Sequence, residues 1–228
     1  NKGFTGGNNA GINHLIEKNI LPDKVLFLNS DTIVDKYCIE NLIVGINSDE
    51  KALIAAPKIV DWGKNNMLQY DGGNIMENLT FGVIGGVRLK KNRNIGKKIT
   101  KVIHGSAFMI KTGNFLSQMP IFNEKCFCYA EEYFLCRNVL RNNMKILFIP
   151  DAIVYHKGSV TLKNNYVQEY LNLRNRIYFI KSELPFYISL FCLLVTFVIT
   201  IPKKIFKYAI KNDRLKIRAV KNAVIDAL

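Results

Sequence analysis

An aspartate closes an apolar run early in this chain. Lys24-Val-Leu-Phe-Leu-Asn-Ser-Asp-Thr32 reads as a buried strand that stops abruptly at Asn29, Ser30 and Asp31. In open α/β sheets, ligands gather outside the carboxyl ends of the strands. A hard cation bridging phosphates needs oxygen ligands on such an edge. Asn, Ser and Asp are also ordinary turn formers, so the same residues describe a plain polar turn. A second acidic feature is the pair Glu131-Glu132, placed where a helix begins. Acids there complement the helix dipole. Two adjacent carboxylates also raise at least one pKa, which suits a general base working near neutrality. At the start of the chain, Gly3, Gly6, Gly7 and Gly11 allow close backbone approach to a nucleotide. Asn8 and Asn9 offer amide hydrogen bonds to ribose or base; the plain alternative is a flexible chain end.

The elements that must position these residues alternate between strand and helix. Ile12, Leu15 and Ile16 share one face of a short helix over 12–19, after a Gly- and Asn-rich stretch over 1–12. A strand over 24–29 follows, then a helix from an Asp35 cap to about Asn47, with Ile39, Leu42, Ile43 and Ile46 as its apolar stripe. Leu53-Ile54-Ala55-Ala56 is a second short apolar run before Pro57. Between 61 and 101 the pattern weakens, and Gly72-Gly73, Gly82, Gly85-Gly86 and the stretch 90–98 read as loops. Residues 101–111 form a strand with Gly105 inside it, the mark of a close approach by a ligand or another backbone. A helix over 131–143, a strand over 145–155 broken at Pro150, and a helix over 166–182 complete the series. Such alternation implies an α/β domain.

Hydrophobic content of 49% fits a chain with a real core. The formal charge is +14, of which residues 203–228 supply +6. This basic balance suits anionic lipid, nucleic acid or phosphate-bearing substrates. The basic residues are not interleaved with aromatics in one stripe, which argues against nucleic acid. Five cysteines, Cys38, Cys126, Cys128, Cys136 and Cys192, are odd in number and lack paired CxxC spacing, so they form neither a disulfide framework nor a zinc site. A reducing cytoplasm follows as the expected compartment. The chain opens on Asn1 with neither Met nor an apolar leader, and reads as a fragment whose upstream part is missing.

Residues 184–201 carry no charge, between Pro185 and Pro202. Eighteen residues meet the lower limit for a membrane span, and also suit a re-entrant or interfacial helix or a buried core helix. A span would put the basic tail inside and the domain outside, where a user of cytoplasmic phosphate-bearing substrates could not work. A shallow hairpin with both flanks on the cytoplasmic face removes the conflict. Ile205, Phe206, Ala209 and Ile210 among lysines suit an anionic lipid surface.

Several segments together resemble the rhamnosyltransferase-like branch of family-2 glycosyltransferases. Asn1-Lys-Gly-Phe-Thr-Gly-Gly-Asn-Asn-Ala-Gly-Ile12 is similar to N-x-G-F-x-x-G-N-N-x-G-I, and Leu28-Asn-Ser-Asp-Thr32 to L-N-x-D-T, that branch's version of the DxD motif. Phe122 to Cys136 resembles F-D-E-x-F-F-x-Y-x-E-D-x-D-L-C. Tyr155-His-Lys-Gly-Ser159 resembles H-x-G-S after a strand, and Tyr170 to Lys181 resembles Y-x-x-R-N-x-x-y-x-x-k, with Arg174 and Asn175 in place. The five occur in order over residues 1–182. Two departures stand out. The E-D-x-D-L-C acids become Glu131, Glu132 and Phe134, and the first position of the DxD-like triplet is Asn29.

The resemblance implies a GT-A fold: a Rossmann-like mixed α/β sheet flanked by helices, its first strands missing. It occupies residues 1–182, followed over 183–228 by a membrane-associated apolar helix and a basic tail. It implies an inverting, metal-dependent transferase moving a sugar, with rhamnose the first candidate, from a dTDP- or UDP-sugar to a bacterial surface-glycan or lipid-linked acceptor. Its setting would be the cytoplasmic face of the inner membrane, peripheral or re-entrant, on an anionic lipid surface and without nucleic acid. Asp31 and His156 would ligate Mg2+ or Mn2+. Glu132 aligns with the family's base, with Glu131 as substitute. Gly3, Gly7, Asn8, Asn9, Asn29, Asp31, Arg174 and Asn175 would contact the donor. Two other readings compete: a sugar nucleotidyltransferase, which would release pyrophosphate and for which no G-x-x-x-x-G-K loop is present, and a non-enzymatic basic protein of the membrane surface.

Overall fold

Ten successive residues, Ala52–Asp61, are all buried. A strand covered on both faces needs apolar side chains throughout, and Ala-Leu-Ile-Ala-Ala-Pro-Lys-Ile-Val supplies them almost without break. This strand belongs to a computed structural model that describes residues 1–62, 67–73, 96, 98–113, 120–157 and 166–228. Most of the loop expected over 90–98, with Gly82 and Gly85-Gly86, lies outside the described residues, as do Gly158 and Ser159 of the H-x-G-S segment. The described residues fall into two units. Unit 1 gathers those up to 73, 96–127 and 131–157; unit 2 gathers 128–130 and 166–228. By contacts, the helix over 166–183 clusters with the C-terminal helices.

In unit 1, β1 (Lys24–Leu28), β2 (Thr32–Val34), β3 (Ala52–Asp61), β4 (Leu68–Tyr70), β5 (Lys98–Thr100), β6 (Ala107–Lys111) and β7 (Lys145–His156) form one sheet. Its path is β1-β6-β3-β7-β2, with β4 paired to β3 and β5 to β7. The long strands β3 and β7 run parallel at the centre, while β6, β2, β4 and β5 pair antiparallel to their neighbours. The register of the central pair slips between Pro57 and Lys58, so that Pro150 to Ala152 of β7 have no partner there. Proline removes a ladder donor and belongs at such a bulge. The strand expected to stop at Pro57 therefore continues to Asp61.

Helices α1 (Gly3–Glu17), α2 (Cys38–Asn47) and α3 (Glu131–Arg141) complete unit 1. The first runs straight through the stretch read as Gly- and Asn-rich coil. Its glycines do not break it because Asn9 and Thr5 tie it to the segment 122–127, a tertiary gain that outweighs weak propensity. α2 forms where its stripe predicts, though only Leu42 and Ile46 of that stripe are buried. Gly45 allows close contact, since a Cβ there would lie 2.4 Å from Ile149 Cδ1. Phe27, Phe108 and Phe122 fill the core beside β1 and β6, the first two stacked with centroids 4.8 Å apart. All five cysteines are free thiols.

Unit 2 holds α4 (Tyr166–Glu183), α5 (Phe186–Val195), a π-helical turn (Thr196–Thr200), α6 (Ile201–Ile210) and α7 (Arg214–Ala227). Residues 186–210 make one continuous helix. Pro202 lacks the N–H that an α-helix requires, and the π turn just before it absorbs the mismatch. Leu173, Ile177, Ile201, Tyr208, Val220 and Ala223 form the core of this unit.

Candidate active site

Three neighbouring strands bring their ends to one edge of the sheet. His156, the last residue of β7, is paired with Thr32 of β2 on one side and Asp61 of β3 on the other. Asp31 precedes Thr32, and its carbonyl accepts from Lys157 N at 3.0 Å. Consequently His156 Nε2 lies 3.4 Å from Asp31 Oδ1. The other ring nitrogen, Nδ1, is 2.7 Å from Gln69 Oε1. The orientation of the Gln69 amide is fixed by its second end: its nitrogen donates to Asp61 Oδ2 and to the His156 carbonyl, both at 3.2 Å, and neither oxygen can donate. Gln69 Oε1 is thus an acceptor, Nδ1 carries the ring proton, and Nε2 faces the Asp31 carboxylate. Burial pushes the His156 pKa down, against the pull of Asp31 and Asp61.

This donor pair fits a divalent cation. Two ligands placed cis at about 2.1 Å from an octahedral ion stand roughly 3 Å apart, close to the observed separation. Among the described residues, no group of three His, Cys, Asp or Glu side chains gathers to close a cage. Mg2+ and Mn2+ need no such cage where substrate phosphates supply the remaining oxygens. An imidazole whose far nitrogen is held by a hydrogen-bond acceptor is the usual form of a ligating histidine.

Beside this pair lies His104. Its ring centroid is 5.5 Å from that of His156, and its Nδ1 accepts from the Ser106 backbone N–H at 3.3 Å and lies 2.8 Å from Ser106 Oγ. Burial, with a smaller push from His156, lowers its pKa to about 4. The end of β1 is joined to the same turn, since Asn29 N donates to Ser106 O at 2.9 Å. Gly105 sits in the turn before β6, where sequence reading placed it inside a strand. A Cβ on it would lie 3.7 Å from Glu131 Oε1 and 4.0 Å from Glu132 Oε2. Both carboxylates therefore overhang a bare stretch of backbone next to His104.

Glu131 and Glu132 open α3. Glu131 is buried, and its Oε2 takes no hydrogen bond from the described residues. Desolvation raises both carboxyl pKa values well above the ordinary range, and the charge of Glu132 adds to the effect on Glu131. Glu132 keeps part of its surface exposed; its shift comes from the crowding of its carboxylate. The turn leading into them is strained: Phe127, Tyr129 and Ala130 adopt φ of 63°, 68° and 66°, a region side-chain-bearing residues rarely enter.

The other expected contacts are placed differently. Asn9 is buried, donating to Phe122 O at 2.9 Å and Glu124 Oε1 at 3.0 Å while accepting from Phe122 N. Asn8 donates to Phe4 O within α1. A Cβ on Gly3, at φ +66°, would meet Phe127 O at 2.4 Å, whereas Gly7 faces open space. In unit 2, Asn175 is fully buried, gives both amide protons to Cys128 O and Tyr129 O at 2.9 and 2.8 Å, and accepts twice from Arg174. These bonds commit Asn9 and Asn175 to the fold. Asp61, Gln69, His104 and Gly105 complete the cluster without having been expected in it. Gly105 alone carried a signal, as a glycine near a strand.

No family model matches the chain. The low-salt glycan biosynthesis hexosyltransferase Agl10 of Haloferax volcanii is 29% identical over 178 residues, a match covering 77% of this chain and 56% of that protein. The chain thus spans little more than half the length of this curated relative. The crystal structure of GalNAc-T7 with UDP, GalNAc and Mn2+ superposes with a TM-score of 0.52 at 15% identity, covering 79% of this chain and 35% of the other. The chain has a GT-A-like fold with a C-terminal apolar helix, and its sequence is glycosyltransferase-like.

Proposed function

We propose that this chain is the catalytic part of an inverting glycosyltransferase of the rhamnosyltransferase-like branch. It moves a sugar, with rhamnose the first candidate, from a dTDP- or UDP-sugar to a surface-glycan or lipid-linked acceptor at the cytoplasmic face of a membrane. The observation that carries this reading is the joining of Asp31, His156, His104, Gly105, Glu131 and Glu132 into one cluster at the strand ends. Known transferases similar in sequence or fold support the same class.

Asp31 and His156 would hold Mg2+ or Mn2+, which when bound neutralises the departing diphosphate. Asn29 positions the strand end beside the diphosphate through its bond to Ser106. The acceptor hydroxyl oxygen attacks the anomeric carbon as the bond from that carbon to the phosphate oxygen breaks. Glu132, or Glu131 in its place, takes the hydroxyl proton, and the nucleoside diphosphate leaves with the bonding electrons. Gly105 leaves room for the sugar under the two carboxylates. Gly7 and Asn8 would contact the donor; Asn9 ties α1 to the segment 122–127, and Asn175, paired with Arg174, holds the turn 128–130.

The test is a donor screen on the full-length protein, with and without Mn2+, reading released nucleoside diphosphate. Release from a dTDP- or UDP-sugar, lost in Asp31→Ala and His156→Ala, is expected. Equal turnover by Asp31→Ala and wild type would sink the assignment.

A further inference from the structure

The helix Phe186–Ile210 of unit 2 is apolar on its outer face, and its inner face mixes small polar residues with apolar ones. Its small, polar residues point inward: Ser189, Cys192, Thr196 and Thr200 are buried, the last two only 0% and 2% exposed. The two threonine hydroxyls bond within the helix, Thr196 Oγ1 donating to Cys192 O at 2.7 Å and Thr200 Oγ1 to Val195 O at 3.4 Å. A second set of large apolar residues faces outward: Phe186, Tyr187, Leu190, Phe191, Leu194 and Val198 run from 55% to 83% exposed. The helix of a water-soluble core has the opposite pattern. Small residues between helices and large ones outside are the arrangement of a helix whose surroundings are lipid.

The same unit says how that helix meets lipid. Ile201 and Tyr208 share one core cluster with Leu173 and Ile177 of α4, and Leu193, Phe197 and Ile205 pack against that cluster. At its far end, Lys204 Nζ and Tyr208 OH both bond Glu169, in the first turn of α4. Helix 186–210 therefore runs antiparallel along α4 for most of its length. α4 carries Glu169, Arg174, Arg176 and Lys181 and could not follow a partner through hydrocarbon without burying those charges. Beyond the apolar ridge, Lys203, Lys207, Lys211, Arg214, Arg218 and Lys221 are exposed, with Phe206, Ile210 and Leu215 among them. That is the composition of a surface lying on anionic headgroups.

We infer that helix 186–210 is an in-plane, lipid-facing ridge on an anionic phospholipid bilayer and does not span it. The ridge from Phe186 to Val198 enters the acyl boundary, and the basic residues of α6 and α7 lie at the headgroups, so both flanks stay on one side. This deepens the membrane placement proposed above and rests on it only for which face is occupied; the lipid contact stands on unit 2 alone.

The test uses full-length protein and sealed vesicles of phosphatidylcholine, with or without phosphatidylglycerol. Flotation with the phosphatidylglycerol vesicles is expected, weakening at least ten-fold in Phe191→Asp and Leu194→Asp, with unchanged circular dichroism. In membranes from expressing cells, Ser182→Cys and Asn212→Cys should react with an impermeant maleimide from the same side. Labelling from opposite sides would mean a span and overturn the inference. So would a lipid-indifferent dimer with the ridge covered by a second copy. Donor turnover retained in a protein that ignores lipid would remove this inference and leave the transferase reading; lipid binding without turnover would do the reverse.

Discussion

Gln69 holds His156 at both ends, taking the proton of Nδ1 at 2.7 Å and giving its own to the His156 carbonyl at 3.2 Å. Asp61 fixes the amide that does this. The imidazole is thereby left with one orientation, Nε2 toward Asp31. Replacement by Leu keeps the volume but frees the ring to rotate or change tautomer. Gln69→Leu is expected to weaken Mn2+ binding by about ten- to a hundred-fold, the usual cost of losing a partner behind a ligating histidine. Titration of bound Mn2+ by electron paramagnetic resonance checks this without any turnover. Unchanged affinity would detach Gln69 from the site.

Glu131 and Glu132 both overhang Gly105, at 3.7 and 4.0 Å from where its Cβ would lie, so substitution must separate their roles. Removing a general base lowers turnover by about 10²- to 10⁴-fold. Glu132→Gln is expected to fall in that range with KM nearly unchanged, and Glu131→Gln to lose less. The acid limb of the wild-type rate profile should lie nearer neutrality than a free carboxyl at about 4.3, because both groups are held up by desolvation. A limb at the ordinary carboxyl value, or equal losses in kcat, would reassign the base.

The same burial makes a prediction about stability, with a definite sign. A carboxyl whose folded pKa is raised stabilises the fold below its unfolded pKa, and that contribution is lost as pH rises through the folded value. For Glu131 the window opens near pH 4 and extends upward toward neutrality. The difference in melting temperature between Glu131→Gln and wild type should grow in favour of the variant from pH 4 to pH 8. The slope can reach about 1.4 kcal/mol per pH unit for a single group. A constant difference would show that Glu131 titrates normally.

Much of this was legible in the sequence wherever one residue type does a local job. The apolar run into Asp31 became β1 with its end at the sheet edge. The acids at 131 and 132 opened a helix, and Tyr155 led into His156 at a strand end. What was not legible depends on register and tertiary contact. Nothing near Gln69 announces a ligand-orienting amide, since its place opposite Asp61 and His156 arises from β4 folding back on β3. The glycines of residues 1–12 read as coil because their helix is held by Asn9 across more than a hundred residues. The bonds of Asn175 to the carbonyls of Cys128 and Tyr129 were not legible either, because an Arg-Asn pair on a helix looks the same in sequence whether it faces a phosphate or a backbone turn.

Asn175 supplies the last prediction. Three residues before Glu131 with positive φ cost free energy, and the turn persists only if something else holds it. The two amide protons of Asn175 go to the carbonyls of Cys128 and Tyr129, inside that turn. Asn175→Asp is nearly isosteric, yet it replaces both donors with an acceptor facing two carbonyls. Leaving such buried groups unpaired costs about 1–3 kcal/mol each. Asn175→Asp should therefore lower the melting temperature by several degrees, and lower kcat by loosening the approach to Glu131 and Glu132. Donor affinity should change little if Asn175 serves the turn. A rise in donor KM with full stability would place it at the ligand instead.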